Sequence, residues 1–241
     1  MSEEKPILAI ETTENICGVC VYFSESKYFE SRVHLKNAHA EKLFEIINFE
    51  MSSAGIKIQD LDSVAVSSGP GSFTGLRIGM SAAKGIAFGA SLPIVKVPTF
   101  EALALQISGF LPKGTEFVIA NKVNSDEIYF AKFQITANNF IFVEKLKIIN
   151  HAELLSQSEK CCIFGNAIYN NNNDINTKFI IASPNPFFVA KWAKLKGEKV
   201  YNFDYMEPDY LKNFIASIKP KTQANFSLDN STSKNKERKN V

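Results

Sequence analysis

The sequence is poor in the side chains that most enzymes use for metal binding and proton transfer. It holds three histidines among 241 residues, His34, His39 and His151. No H-E-x-x-H pattern places two of them on one face of a helix, which argues against a zinc peptidase. No G-x-S-x-G pattern is present either, so nothing indicates a serine hydrolase. We therefore expect neither a catalytic residue nor a metal ligand in this chain.

Long hydrophobic runs are also absent. No apolar stretch reaches the roughly 18 to 20 residues that span a bilayer, and the acidic start "MSEEKPILAI" is unlike a secretory signal. Cys17 and Cys20 share one apolar run, where strand alternation directs them to opposite sheet faces. Cys161 and Cys162 are adjacent and cannot supply a second pair of zinc ligands. We expect a cytoplasmic protein with reduced thiols and no membrane contact.

Positive charge is concentrated at one end of the chain. Residues 219–241 hold six Lys or Arg and two acidic residues. Because the whole chain has 27 basic and 25 acidic residues, 21 and 23 remain in residues 1–218, a net charge of −2. That part is not a basic nucleic-acid binder by bulk charge. The polar stretch 217–241 is predicted to be a disordered, solvated tail, with weak attraction to RNA phosphate as the alternative.

Hydrophobic periodicity predicts two halves with nearly the same order of elements. The first half reads βββαβαβα, with strands at 6–13, 16–23, 27–35, 62–68 and 93–98 and helices at 39–54, 74–90 and 99–108. The second half reads βββαβ-loop-βα, with strands at 116–123, 127–136 and 140–149, further strands in "KCCIFG" and "KFIIAS", and helices from 151 and at 186–196. This order indicates a duplicated α/β protein. The predicted units are 1–110, 111–216 and the tail 217–241.

The segment "SSGPGSFTGLRIGMSAAKGIAFGA" at 67–90 holds six of the twelve glycines of the chain. It lacks the lysine of a Walker A loop and the spacing of a dinucleotide fingerprint. A strand nevertheless leads into a glycine turn, and Ser72 or Thr74 can cap the helix that follows. Free N–H groups at such a helix start can hold an anion. A purely structural turn would use the same residues, so both interpretations stay open.

Small residues then recur every four positions, at Gly75, Gly79, Ala83 and Ala87. A glycine inside a helix costs about 1 kcal/mol relative to alanine. We therefore expect a compensating close approach by another surface, which is the sheet, helix 39–54 or another subunit. Helix 39–54 has an apolar surface wide enough for either ordinary burial or contact with a partner. Its apolar side chains are Leu43, Phe44, Ile46, Ile47, Phe49, Met51 and Ala54.

Four stretches between residues 7 and 105 form a recognisable pattern: "LAIETTENICGVCV", "NAHAEKLFEII", "DLDSVAVSSGPGSFTGLRIGMSAAKGIAFG" and "PIVKVPTFEALA". Together they resemble the TsaB (YeaZ) family. Weaker but collinear likenesses follow at "DEIYFAKF", "FGNAIY" and "EPDYLK". The resemblance implies the duplicated RNase H-like/actin-like (Hsp70-like ATPase) fold.

The resemblance also implies an accessory role in tRNA modification. It implies a non-catalytic subunit that binds a TsaD-type transferase, which makes N6-threonylcarbamoyladenosine (t6A) at position 37 of tRNAs reading ANN codons. A TsaE-type ATPase joins that assembly, and the subunit alone forms a homodimer through the same surface. No cofactor of the chain's own is implied, and any ATP or ADP is expected at the interface of the assembled complex.

By position, the docking helices of the family correspond to residues 39–54 and 74–90. The residues expected to contact the partner are His39, Leu43, Ile46, Ile47, Arg77, Gly79, Met80 and Ala83. The residues expected near a nucleotide are Glu11, Thr12, Gly69, Gly71, Ser72 and Thr74. We interpret the segment 67–90 as a docking helix first and a nucleotide-binding edge second.

The sequence departs from the family pattern at two places. Glu11 stands where the family has Asp, and Lys122-Val123-Asn124 stands where it has Asp-Ala-Arg. Loss of that Asp/Arg pair argues against nucleotide binding by this chain alone. The alternative hypothesis is a small-molecule kinase or ATPase of the same fold, with Glu11 near Mg²⁺ and residues 69–75 at phosphate.

Overall fold

The computed structural model describes residues 4–34, 39–137, 139–159, 161–167 and 178–211. The first half contains β1 (Ile7–Glu11), β2 (Ile16–Ser24), β3 (Lys27–His34), α1 (His39–Ala54), β4 (Ser63–Gly69), α2 (Phe73–Ala90), β5 (Ile94–Pro98) and α3 (Thr99–Ile107). The second half contains β6 (Glu116–Lys122), β7 (Glu127–Ile135), β8 (Phe140–Asn150), α4 (His151–Gln157), β9 (Cys162–Phe164), β10 (Lys178–Phe179) and α5 (Pro186–Lys196). The predicted tail and an Asn-rich loop at 170–173 lie outside the described residues.

The two sheets have the same strand order. The first runs β3-β2-β1-β4-β5. The second, read from the β8 edge, runs β8-β7-β6-β9-β10, which is the same order when β6 is counted as the first strand. In each sheet the first three strands in sequence are antiparallel, and the last two run parallel to the first. This confirms the predicted α/β class and the duplicated RNase H-like/actin-like fold. The predicted strand "KFIIAS" is shorter than expected, because only Lys178–Phe179 pairs with β9.

The first sheet is covered on both faces, so all five residues of its central strand β1 are buried. Leu8 and Ile10 pack in the core beneath α1 and α2. Ile7 and Ala9, which alternate with them, pack in a second core with α3 and α5. Cys17 lies in the first core and Cys20 in the second, which confirms their predicted opposite faces.

Helix α2 packs unusually close to the end of β1. A Cβ atom at Gly75 would overlap the Thr12 carbonyl oxygen, and one at Gly79 would overlap Thr12 Oγ1. Thr12 Oγ1 donates a hydrogen bond to the Gly75 carbonyl at 2.8 Å. Ala83 and Ala87, farther along the same line, are fully buried. The surface that packs closely against these small residues is therefore the chain's own sheet.

Residues 198–211, which we call the strap, run back from α5 onto the first half. Val200 forms an antiparallel bridge with Ile94 at the edge of β5. Phe203 and Met206 pack against the core beneath α1 and α2. Asp209 donates its backbone N–H to the Ser68 carbonyl at 2.7 Å. The strap thus ends beside the glycine turn.

No helix in the described ranges is both long and apolar enough to cross a membrane.

The close approach of α2 predicts a contrast between two glycines of this helix. Gly75→Ala should lower the free energy of unfolding by about 1–3 kcal/mol, because the added methyl group meets backbone that cannot move aside. Gly85→Ala should raise it by about 0.5–1 kcal/mol, since no atom lies within 4 Å of the new Cβ. Urea denaturation of both variants checks this. Equal effects would contradict the proposed packing.

Candidate functional site

Helices α1 and α2 leave a groove of about 390 Å³ between their outward faces. The groove is lined by Leu43, Phe44, Arg77, Ile78, Ser81 and Ala82. Phe44 is 52% exposed, a large apolar side chain left in contact with water. Arg77 supplies the only formal charge among the lining residues. The groove is therefore an accessible, mainly apolar surface with one cation at its rim.

The predicted partner-contact residues separate into exposed and buried groups. Arg77 is exposed and lines the groove. The buried group is Leu43, Ile46, Ile47, Gly79, Met80 and Ala83, of which Leu43 also borders the groove. α1 begins at His39, whose side chain lies outside the described residues. Residues buried between helix and sheet cannot touch a partner without separation of the two, which corrects the interpretation of the small-residue line as the contact face.

The groove includes residues that sequence reasoning did not select. Ile78, Ser81 and Ala82 line it, and Phe44 is its most exposed apolar side chain. Phe44 belongs to the wide apolar surface of α1, so the width of that surface could have indicated from the sequence that Phe44 lines a groove. Ser81 follows Arg77 by four residues and Ile78 by three, and both spacings place side chains next to each other on one side of a helix. The spacing from Arg77, rather than from the glycines, identifies the outward face of α2.

The glycine turn at 69–75 is occupied by atoms of the chain itself. A Cβ at Gly69 would lie 2.7 Å from the Asp209 carbonyl oxygen, and one at Gly71 would lie 2.7 Å from the Thr13 carbonyl oxygen. Gly69 also has a φ of +124°, which favours glycine. These glycines make room for β1 and the strap, so the geometry favours a structural turn over a phosphate loop.

The helix start after this turn is already capped. Ser72 is the N-cap of α2, and its Oγ accepts a hydrogen bond from the Gly75 N–H at 3.3 Å. The Ser72 N–H donates to the Thr13 carbonyl at 2.5 Å. Thr74, the other candidate cap, is exposed in the first turn. Two amide groups at this helix start, those of Ser72 and Gly75, are thus engaged within the chain.

Glu11 lies fully buried at the end of β1. Its carboxyl group accepts hydrogen bonds from the Thr13 N–H at 2.6 Å and from the hydroxyl groups of Thr13 and Ser67. Burial raises the pKa of Glu11 to about 7, although the hydrogen bonds from Ser67 and Thr13 oppose this shift. Glu11 therefore ties β1 to β4. Across the part of the chain that the structure describes, no group of three or more His, Cys, Asp or Glu comes together to hold a metal.

Glu14 links the two halves across a cleft of about 720 Å³. Its carboxyl group accepts a hydrogen bond from Asn166 Nδ2 at 3.0 Å. Asn166 in turn accepts a hydrogen bond from the Lys122 N–H at 2.7 Å. Burial, followed by the negative charge of Glu11, raises the pKa of Glu14 to about 8. The hydrogen bond from Asn166, the contact with the second half, opposes this shift.

The unusual segment Lys122-Val123-Asn124 forms the turn between β6 and β7. Asn124 Oδ1 accepts hydrogen bonds from the N–H groups of Asp126 and Glu127, both at 2.9 Å. An asparagine that bonds the backbone two residues ahead closes a turn in this way. The geometry gives this segment a structural role.

Comparison with known proteins matches residues 33–138 to the family model described as TsaD, tRNA N6-adenosine threonylcarbamoyltransferase. The chain is 26% identical to the tRNA threonylcarbamoyladenosine biosynthesis protein TsaB of Haemophilus influenzae, over 87% of this chain and 94% of the relative. It is 28% identical to the Escherichia coli TsaB over 63% of this chain and 64% of that protein. The tRNA N6-adenosine threonylcarbamoyltransferase of Paracoccus denitrificans is 45% identical, over 25% of this chain and 17% of that protein.

Solved structures show the same fold. The structure described as YeaZ from Pseudomonas aeruginosa superimposes with a TM-score of 0.69 at 18% identity, covering 86% of this chain and all of that one. A second structure from that organism, described as similar to peptidase YEAZ, gives a TM-score of 0.72 over 87% of this chain and 100% of its own length, at 18% identity.

The raised pKa values of Glu11 and Glu14 predict that stability falls as the pH rises. Both groups hold a proton more tightly in the folded chain than in the unfolded chain, where their pKa is near 4.5. Their contribution is thus fully present below about pH 4.5 and is lost as the pH rises through about 7 to 8. Glu14→Gln keeps an acceptor for Asn166 without a titrating proton. In this variant the free energy of unfolding should fall less steeply between pH 4.5 and 8.5, as measured by urea denaturation.

An equally steep decline in Glu14→Gln would contradict this assignment of the titrating groups. Glu198→Gln is the matched control, because Glu198 is an exposed carboxylate at the start of the strap. It should leave the decline as it is in the unaltered chain.

Proposed function

We propose that the chain, which is 26% identical to a TsaB protein over 87% of its length, acts as a TsaB (YeaZ) protein and is a non-catalytic subunit of t6A synthesis. In this proposal it binds a TsaD-type transferase and supports threonylcarbamoylation of adenosine 37 in tRNAs that read ANN codons. A TsaE-type ATPase joins the complex, and ATP or ADP binds only at the assembled interface. tRNA is the substrate of the complex.

The groove between α1 and α2 is the observation that carries this proposal. An exposed Phe and an exposed Arg, residue types that are enriched in protein interfaces, both line it. The matched residues 33–138 include both helices. The surface that we propose for the transferase is thus the outward face of α1 and α2, and in the absence of the transferase two copies of the chain pair through it.

The chemistry of the groove supports binding rather than catalysis. Its lining residues offer no carboxylate, imidazole or thiol that could transfer a proton or attack a substrate. Ser81 has no base among these residues to activate it. The kinase or ATPase alternative relied on Glu11 and the glycine turn. Both are engaged by the chain itself, so no observation favours this alternative.

The proposed surface predicts a loss of complex formation when the groove is filled. Ser81→Arg adds bulk and a second positive charge beside Arg77. It should weaken binding to the TsaD-type transferase of the same organism by about tenfold or more, because a charge without a partner becomes buried. Size-exclusion chromatography and calorimetry measure the complex. The control is Ser156→Arg, the same change at an exposed position on α4, which should bind like the unaltered chain. Binding by Ser81→Arg as tight as that of this control would refute the surface.

The proposed role predicts a change in tRNA composition. Cells that lack this chain should lose t6A, and the unaltered chain should restore it, as quantified by mass spectrometry of total tRNA nucleosides. Ser81→Arg should restore much less t6A than Ser156→Arg at equal protein level. A t6A level that does not depend on the chain would overturn the role even if the complex forms.

A further inference from the structure

The strap contacts α2 and ends at the first turn of this helix, beside the groove. Asp209 anchors it at the glycine turn, where Ser68 Oγ donates to the Asp209 carboxylate at 2.7 Å and Lys96 pairs with that carboxylate at 2.5 Å. The next residue, Tyr210, packs its ring 5.3 Å from the ring of Phe73. The strap thereby brings one hydroxyl group to the first turn of α2.

That hydroxyl group contacts the cation of the groove. Arg77 Nε donates a hydrogen bond to Tyr210 Oη at 3.2 Å. The Arg77 guanidinium carbon also lies 4.0 Å from the centre of the Phe73 ring, which is a cation–π contact. The guanidinium group is therefore restrained both by a ring and by a hydrogen bond, although the side chain is exposed.

A restrained arginine is better prepared for binding than a mobile one. A long side chain loses rotamer freedom when a partner immobilises it, and prior restraint removes part of that cost. The Tyr210 contact uses Nε, and no described residue accepts a hydrogen bond from the two terminal nitrogens of Arg77. Those nitrogens form the fork that pairs with a carboxylate through two parallel hydrogen bonds.

We propose that Tyr210 is a positioning residue for partner binding, which holds Arg77 at the groove rim to receive a carboxylate of the transferase. The proposal rests on the proposed function, since it deepens the same surface. The segment that fills the groove then carries an apolar side chain that packs against Phe44 and Ile78, with an Asp or Glu beside it. The strap couples the second half of the chain to binding by the first half.

A double-mutant cycle tests this coupling. Dissociation constants for the TsaD-type transferase are measured by calorimetry for the unaltered chain, Tyr210→Phe, Arg77→Ala and the double variant. Tyr210→Phe keeps the ring on Phe73 and removes only the hydroxyl group. It should weaken binding about three- to tenfold, the range for one hydrogen bond, and should have no effect when Arg77 is already Ala.

The salt dependence of binding distinguishes positioning from general stabilisation. Arg77→Ala should weaken binding about tenfold or more and flatten its dependence on ionic strength, because a cation that meets a carboxylate has been removed. Arg77→Lys keeps the charge but lacks the Nε donor, so its affinity should be insensitive to Tyr210→Phe. Melting temperatures establish that every variant is folded.

Lys84→Ala is the matched control for the strap. Lys84 Nζ donates to the Asp204 carbonyl at 2.9 Å, so this variant also removes a contact between strap and helix, but one that does not involve Arg77. Its affinity for the transferase should equal that of the unaltered chain. Equal losses in Lys84→Ala and Tyr210→Phe, or a Tyr210→Phe loss that persists with Arg77→Ala, would overturn the inference. Absence of binding by the unaltered chain would overturn the proposed function itself.

Discussion

The approach of helix α2 to the end of β1 is the contact on which the rest of the first half depends. Thr12 bonds the carbonyl of Gly75, and the missing side chain at Gly75 lets the two backbones meet. This contact orients the whole helix, because one face of a helix that lies on a sheet must turn inward. Arg77, Ile78 and Ser81 consequently face the groove. A glycine inside the molecule thus determines which residues a partner can reach.

The two halves share a topology but contribute differently to the candidate site. The first half supplies the groove, whereas the second half supplies the elements that support it. Helix α5 packs in the core on the opposite face of the first sheet, and the strap that follows α5 ends at Tyr210, against Arg77. Glu14 and Asn166 join the halves at the cleft. The second half therefore contacts the first half through packing and hydrogen bonds, and the strap that follows it reaches the groove.

Local sequence signals predicted the elements well and the long-range contacts poorly. α1 and α5 have the predicted bounds, because Gly55 takes a positive φ after α1 and Pro186 stands at the first turn of α5. The four-residue spacing of small residues was equally compatible with a sheet and with a partner, so it could not identify the contacting surface. The bonds from Glu14 to Asn166 and from Arg77 to Tyr210 join residues 152 and 133 positions apart, and no periodicity marks such pairs.

Binding of a TsaD-type transferase to the outward face of α1 and α2, as proposed, can be measured by hydrogen–deuterium exchange of the chain with and without the transferase of the same organism. Added protection should be concentrated in residues 39–54 and 73–90, with a smaller gain at 207–211 where the strap meets Arg77. Protection concentrated instead at the cleft between the halves, near residues 32–34 and 180–185, would contradict binding at this face.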